Sequence, residues 1–285
     1  MILNIIGCGR LARTLAYLWH AEQCVDIGDV LTTNIGSAQL AVRFMGAGNP
    51  ASQIQYMKPA DITLIGTSDD QVKVVAKQLA KQAIRAGSVF FHCSGSQSSA
   101  ILNPLKQRGA KVASIHPVKS FADPELAVTS FAGTYCGVEG DQVALDVLEP
   151  LFTKIGGITF PIDADQKVHY HAASVMACNY LVALQEISLQ SFEKAGVERS
   201  LAMNILQPLV EGTVDNIFTL GTTEALTGPI ARSDTNVVKQ HIEALQNWRA
   251  DYASIYRLLG QTSLALAKKK KGADVATLEC LLNKN

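Results

Sequence analysis

Residues 2–12 read ILNIIGCGRLA, an apolar run that turns without interruption into a G-x-G-x-x-A pattern. The run Ile2–Ile6 predicts a buried strand. The pattern after it predicts the tight turn into a helix that cradles a dinucleotide. Gly7 permits the turn, Gly9 lets a diphosphate approach the backbone, and Ala12 is small enough for the helix to pack on the sheet. Arg10 and Leu11 open that helix, whose unpaired N–H groups attract phosphate.

Outward from this unit, strand-like and helix-like stretches alternate. Strands are expected at 27–33, 62–65, 88–92, 111–115, 134–138 and 158–161, and helices at 10–21, 37–44, 70–82, 98–107 and 141–155. That order predicts an α/β fold, an N-terminal Rossmann domain with a parallel sheet, over residues 1–163. From 164 to 285 the chain reads as an all-α domain. Residues 166–195 contain neither Pro nor Gly, enough for one helix of about 45 Å. Val168, Ala172, Val175, Asn179, Val182 and Glu186 would share a stripe on it, apolar at all but two positions. Further helices are expected at 200–210, 234–246, 251–267 and 273–282.

An NAD site would carry an acid at the end of the second strand, yet that place holds Thr32, Thr33 and Asn34. Asp29 comes too early. The neutral hydrogen-bonding groups suit a 2′-phosphate, with Arg10 or Arg43 adding charge, so NADP is the expected cofactor. Thr67 and Ser68 follow the third expected strand and Ser94 the fourth, where ligands of such sheets lie. Ordinary helix capping is the competing role for Asp69 and Asp70.

The 285 residues are 48% hydrophobic and 18% charged, with a formal net charge of +0, which excludes nucleic acid or an anionic membrane as an electrostatic partner. The cationic residues 268–271 read as the last turn of a helix. Six cysteines without a C-x-x-C pair fit a reducing compartment rather than zinc or disulfides. With no basic leader and no stretch judged long enough to span a bilayer, a cytoplasmic location is expected.

Four segments carry a family resemblance: HCSGS at 92–96, HPVKSF at 116–121, YHAA at 170–173 running on to Asn179 and Tyr180, and ALTGPIARSD at 225–234. Together they resemble bacterial Rossmann-like oxidoreductases with a C-terminal helical domain of unknown function. These are relatives of the deazaflavin-dependent NADP oxidoreductases and the β-hydroxyacid dehydrogenases. The resemblance implies a nicotinamide oxidoreductase with a helical domain like the C-terminal one of 6-phosphogluconate dehydrogenase. It further implies a homodimer through that domain, and ketopantoate, from pantothenate biosynthesis, as the leading substrate. β-Hydroxyacid dehydrogenases place a Lys four residues before an Asn. Asn179 matches the Asn, but Val175 stands where the Lys would be.

Carbonyl reduction needs an acid at the oxygen. Lys119 or His171 is expected to donate the proton, and Asn179 to orient the carbonyl. Ser94, Gly95 and His116 would line the substrate, and Arg232 would grip a carboxylate unless it pairs with Asp234. His169 and His171 point to different sides of a helix, which argues against a metal. Two alternatives remain: an imine reductase resembling pyrroline-carboxylate reductase, and a non-catalytic NADP-binding sensor or scaffold.

Overall fold

In the computed structural model, which describes residues 1–270 and 276–283, the chain separates into two compact units, Met1–Tyr180 and Leu181–Asn285. The first is built on eight strands: β1 (Ile2–Ile6), β2 (Asp26–Leu31), β3 (Asn49–Ala51), β4 (Ile62–Ile65), β5 (Val89–His92), β6 (Lys111–Pro117), β7 (Tyr135–Gly140) and β8 (Ile158–Pro161). Their spatial order is β3-β2-β1-β4-β5-β6-β7-β8, so the chain reverses direction across the sheet after β3. All neighbours are parallel except β6 and β7, an antiparallel step in a sheet expected to be wholly parallel.

Helices cover both faces, which is why the inner strands are apolar at nearly every position. On one side Trp19, Phe91 and Phe152 meet edge to face, with centroids 5.2–6.3 Å apart. The Trp19 indole N–H donates to the Leu151 carbonyl at 2.9 Å, so its polar atom costs nothing by burial. On the other side Val72, Val75, Ala76 and Leu79 of the helix Asp69–Leu79 pack on Ile6, Ile65 and Phe90.

Several expectations shift. The helix expected at 98–107 is a 3-10 turn Ser99–Leu102 followed by a single turn Asn103–Lys106. Strand β3 and the helix Pro124–Thr129, capped by Asp123, had no clear sequence signal. The long helix after residue 166 is interrupted: Lys167–Ser174 runs into a π-helical turn Val175–Asn179 before Tyr180–Lys194. Most of the apolar stripe read along it is exposed, with Val168 at 65% and Val182 at 70%. Lys167, Tyr170, His171, Ser174 and Val175 form the inner stripe instead, at the i, i+3, i+4 spacing of one helical face.

The second unit is helical, with Arg199–Ala225 broken at Gly221, then Gly228–Ala231, Thr235–Trp248, Ala250–Ala267 and Ala276–Asn283. Ile230, Val238, Ile242, Leu264 and Leu282 form its core. Residues 271–275 of the expected charge run and last helix lie outside the described residues. The stretch Ala164–Lys194, with a hydropathy of 1.2, is long and apolar enough to cross a membrane by length and composition, contrary to the sequence reading. Its first turns nevertheless seat Lys167 against the sheet.

Candidate functional site

At the end of β1, Gly7 takes φ +81°, a conformation that side chains rarely adopt. A β-carbon there would stand 2.6 Å from the Thr67 amide nitrogen. Gly66 returns the constraint: its β-carbon would lie 2.4 Å from the Gly7 carbonyl oxygen and 2.8 Å from Ala12. The turn is therefore closed by backbone on its inner side. At Gly9 nothing lies within 4 Å of the same construction. Gly9 also caps the helix Arg10–Ala21 without a side-chain hydrogen bond, leaving its first N–H groups open.

Beside this opening the Thr67 hydroxyl oxygen is buried without a partner. An open glycine backbone, uncapped N–H groups and an orphaned hydroxyl fit a dinucleotide diphosphate. Arg10 is exposed and Leu11 half-buried at the helix start. At the end of β2 the Thr32 hydroxyl donates to the Asn34 carbonyl at 2.7 Å, Asn34 caps Ser37 N–H at 2.8 Å, and Thr33 is exposed. Asp29 is committed elsewhere: it is buried, and its carboxylate accepts from the Lys58 N–H at 2.6 Å. Ser68 is exposed at the N-cap of Asp69–Leu79 and makes no side-chain cap bond. The Asp69 carboxylate accepts instead from the hydroxyls of Ser94 (2.7 Å) and Ser96 (2.8 Å).

Pairing register assembles a second cluster. His92, Ser114 and Glu139 are partners across β5, β6 and β7, forming one polar row. Two residues along β6, His116 faces Gly137 and begins the next row. The inner stripe of Lys167–Ser174 runs over both rows, because one helical turn advances about 5.4 Å and two strand residues about 6.6 Å. Lys167 meets the first row: its ammonium donates to the Ser114 hydroxyl at 2.5 Å and lies 3.5 Å from Glu139. Glu139 also accepts from the Ser99 N–H (2.7 Å) and hydroxyl (2.6 Å). Tyr170 and His171 meet the second row. The Tyr170 hydroxyl is 2.9 Å from His116 Nδ1, and the two imidazoles cross edge to face at 5.7 Å.

Gly95 lies against both imidazoles: a β-carbon there would be 2.4 Å from His171 Nδ1 and 2.9 Å from His116 Nε2. Nδ1 of His171 is buried and has no partner. Burial, with His171 and Lys167 adding repulsion, lowers the His116 pKa to about 4. Burial does the same for His92, also lowered to about 4, while the Tyr170 phenol is pushed up to about 12. Ser94 N–H donates to His92 Nδ1 at 3.2 Å, and Nε2 faces the Ser98 carbonyl at 3.3 Å, the pattern of a neutral ring.

Of the residues expected to act, the structure brings Gly95, His116 and His171 together. Lys119 donates to the Ser130 carbonyl at 2.8 Å, Asn179 is exposed in the π-helical turn, and Arg232 pairs with Asp234 at 2.8 Å. Lys167, Glu139 and Tyr170 were missed. The available signal was the polar alternation in apolar strands, Ser114 then His116 and Gly137 then Glu139, together with Lys167, Tyr170 and His171 at helical spacing. Among the described residues no group of three or more His, Cys, Asp or Glu is arranged to hold a metal.

Residues 1–117 match the family model of a Rossmann-like domain, and residues 134–263 match a domain of unknown function, DUF2520. No curated protein matches the sequence. Among solved structures, protein TM1727 from Thermotoga maritima is 29% identical, with a TM-score of 0.72 over 95% of this chain and 100% of that one. The candidate NADP oxidoreductase BF3122 from Bacteroides fragilis is 18% identical, with a TM-score of 0.77 over 93% and 98%. The imine reductase from Myxococcus stipitatus, solved with NADP+, is 15% identical, with a TM-score of 0.62 over 100% of both chains. The last two likenesses show the fold. A Rossmann-like domain carrying the open glycine turn, followed by a DUF2520 domain, places this chain with the Rossmann-like proteins that have a C-terminal helical domain.

Proposed function

We propose that the protein is an NADP-dependent reductase of a small carbonyl compound, with ketopantoate, a 2-oxo acid, as the leading substrate. The observation that carries this reading is the meeting of His116, Tyr170 and His171 over Gly95, beyond the carboxyl end of β5. A reduced nicotinamide, when bound, supplies the hydride. The chain's own task is to hold the carbonyl and meet its oxygen with a proton. His171 takes that role, since its Nδ1 is buried without a partner in the protein and lies against Gly95 beside His116. Lys119 stands second, because its ammonium is engaged by Ser130. Neutral His116 and protonated Tyr170 supply hydrogen bonds without adding charge. Asn179 is read as orienting the carbonyl.

NADP is favoured over NAD because Asp29 is spent on the Lys58 backbone, leaving neutral Thr32, Thr33 and Asn34 at the ribose end. The helical unit supports a homodimer: Phe218 is 86% exposed, and Leu201, Met203 and Leu209 are exposed on the same helix. All six cysteines are free, in keeping with a soluble cytoplasmic protein.

The test is NADPH oxidation followed by absorbance with ketopantoate, with NADH in parallel and 1-pyrroline-5-carboxylate as a third arm. Rapid loss of NADPH with ketopantoate alone is the expected outcome. Turnover only with the imine reassigns the substrate class. Measurable NADPH binding with silence in all arms overturns the reductase reading.

A further inference from the structure

A buried ion pair is a costly way to fasten a helix to a sheet, since two apolar side chains of similar volume would do so without desolvating charge. Lys167 is 1% exposed, and its partner Glu139 is buried in a strand that is otherwise apolar or glycine. The pair is also fully engaged. Ser99 donates twice to Glu139, and Lys167 donates to Ser114, whose hydroxyl makes a long contact of 3.5 Å with the Ser94 carbonyl. Ser94 leads directly into Gly95, against which both imidazoles of the proposed site lie. One row below His116, and one helical turn before Tyr170 and His171, the chain has placed a fixed and satisfied charge.

We propose that the Lys167–Glu139 pair is a positioning device for the His116–Tyr170–His171 site, setting the seat of the Ser94–Gly95 peptide and holding a cation beneath the imidazoles. The inference deepens the reductase reading and takes its site from it. Lys167 acts through others: it holds the helix at one depth on the sheet, and its charge opposes protonation of His116 and His92. The titratable and charged groups that bear on His116 come from two helices. They are Lys167, Tyr170 and His171 from the helix above and Asp69 from Asp69–Leu79. Asp69 favours the charged ring and is outweighed by burial, His171 and Lys167 together.

The decisive experiment is an NMR titration of the histidine rings in full-length, cofactor-free protein, comparing wild type with the double variant Lys167→Met/Glu139→Gln. Removing both charges avoids stranding one of them. With near-UV circular dichroism unchanged, the His116 midpoint is expected to rise by on the order of one pH unit. The acid limb of the kcat/KM profile should move with it while the NADPH Kd stays put. A folded double variant with wild-type His116 titration and an unmoved profile overturns the proposal. If the variant does not fold, Ser114→Ala, which cuts the link from Lys167 to the Ser94 carbonyl without removing a charge, decides in its place: a moved His116 midpoint supports the device, and a wild-type titration overturns it. Because the titration uses no cofactor, a shifted midpoint with no turnover sinks only the reductase reading. Turnover with an unshifted midpoint sinks only this inference.

Discussion

Gly7 and Gly95 both exclude a side chain, but different neighbours exclude it. At Gly7 the obstacle includes backbone, the Thr67 nitrogen at 2.6 Å and the Gly66 carbonyl carbon at 2.8 Å, beside the Thr67 methyl at 2.6 Å, and φ is +81°. At Gly95 the obstacle is two imidazoles, and the backbone there is in no left-handed conformation. Backbone held in a sheet cannot move aside, whereas rings turn about their χ angles. The first glycine therefore guards the fold of the nucleotide turn, and the second guards the placing of His116 and His171. Gly9 is a third case, open on the side where a β-carbon would project.

The largest effect bears on the imidazole side of this contrast. His92 and His116 are both held near pKa 4 in the folded protein against an ordinary 6.5. As pH falls below 6.5 the unfolded chain takes up protons before the folded one does. Stability is complete above that pH and drains between 6.5 and 4, by about 3 kcal/mol for each ring. Urea midpoints measured across this range should fall with a slope approaching two protons. A flat profile would mean that the rings are not buried as neutral groups.

Next comes Gly7→Ala, expected to cost about 3 kcal/mol through positive φ and backbone overlap together. Its urea midpoint should drop well below that of Gly95→Ala. Gly95→Ala should lose only about 1–2 kcal/mol, because the rings can swing away. In the reductase assay the same variant should lose about 10²-fold in kcat, since misplaced catalytic groups are penalised steeply. Equal stability losses at the two glycines would erase the distinction drawn between them. The smallest effect is expected at Gly9→Ala. Stability should stay within about 0.5 kcal/mol of wild type, as for an exposed site, while titration calorimetry should show weaker NADPH binding.

The nucleotide half was readable because its determinants are contiguous. Ile2–Ile6, Gly7, Gly9 and Ala12 lie within one strand and one turn, and period and glycine chemistry identify them without knowledge of the rest. The same local logic located most strands and helices to within a few residues. It missed β3, whose three residues include a proline, and it gave no sign that β7 would run antiparallel to β6. It also marked an apolar stripe on the helix after Gln166 and passed over the polar one that meets the sheet. The sheet offers a polar row of His92, Ser114 and Glu139, which Lys167 complements, and a second row at His116 and Gly137, which Tyr170 and His171 meet.

By itself, then, the sequence determined a Rossmann turn, an alternating α/β order giving way to helices, and a ribose end with no acid in place. Tertiary structure decided that Asp29 is occupied, that Gly95 lies against two imidazoles, and that Lys167 is buried with Glu139. The reason is physical. A turn is specified by the dihedral freedom of neighbouring residues, while a site drawn from β5, β6, β7 and a later helix depends on strand register and helix phase. A slip of one residue in either would turn every one of those side chains to another face.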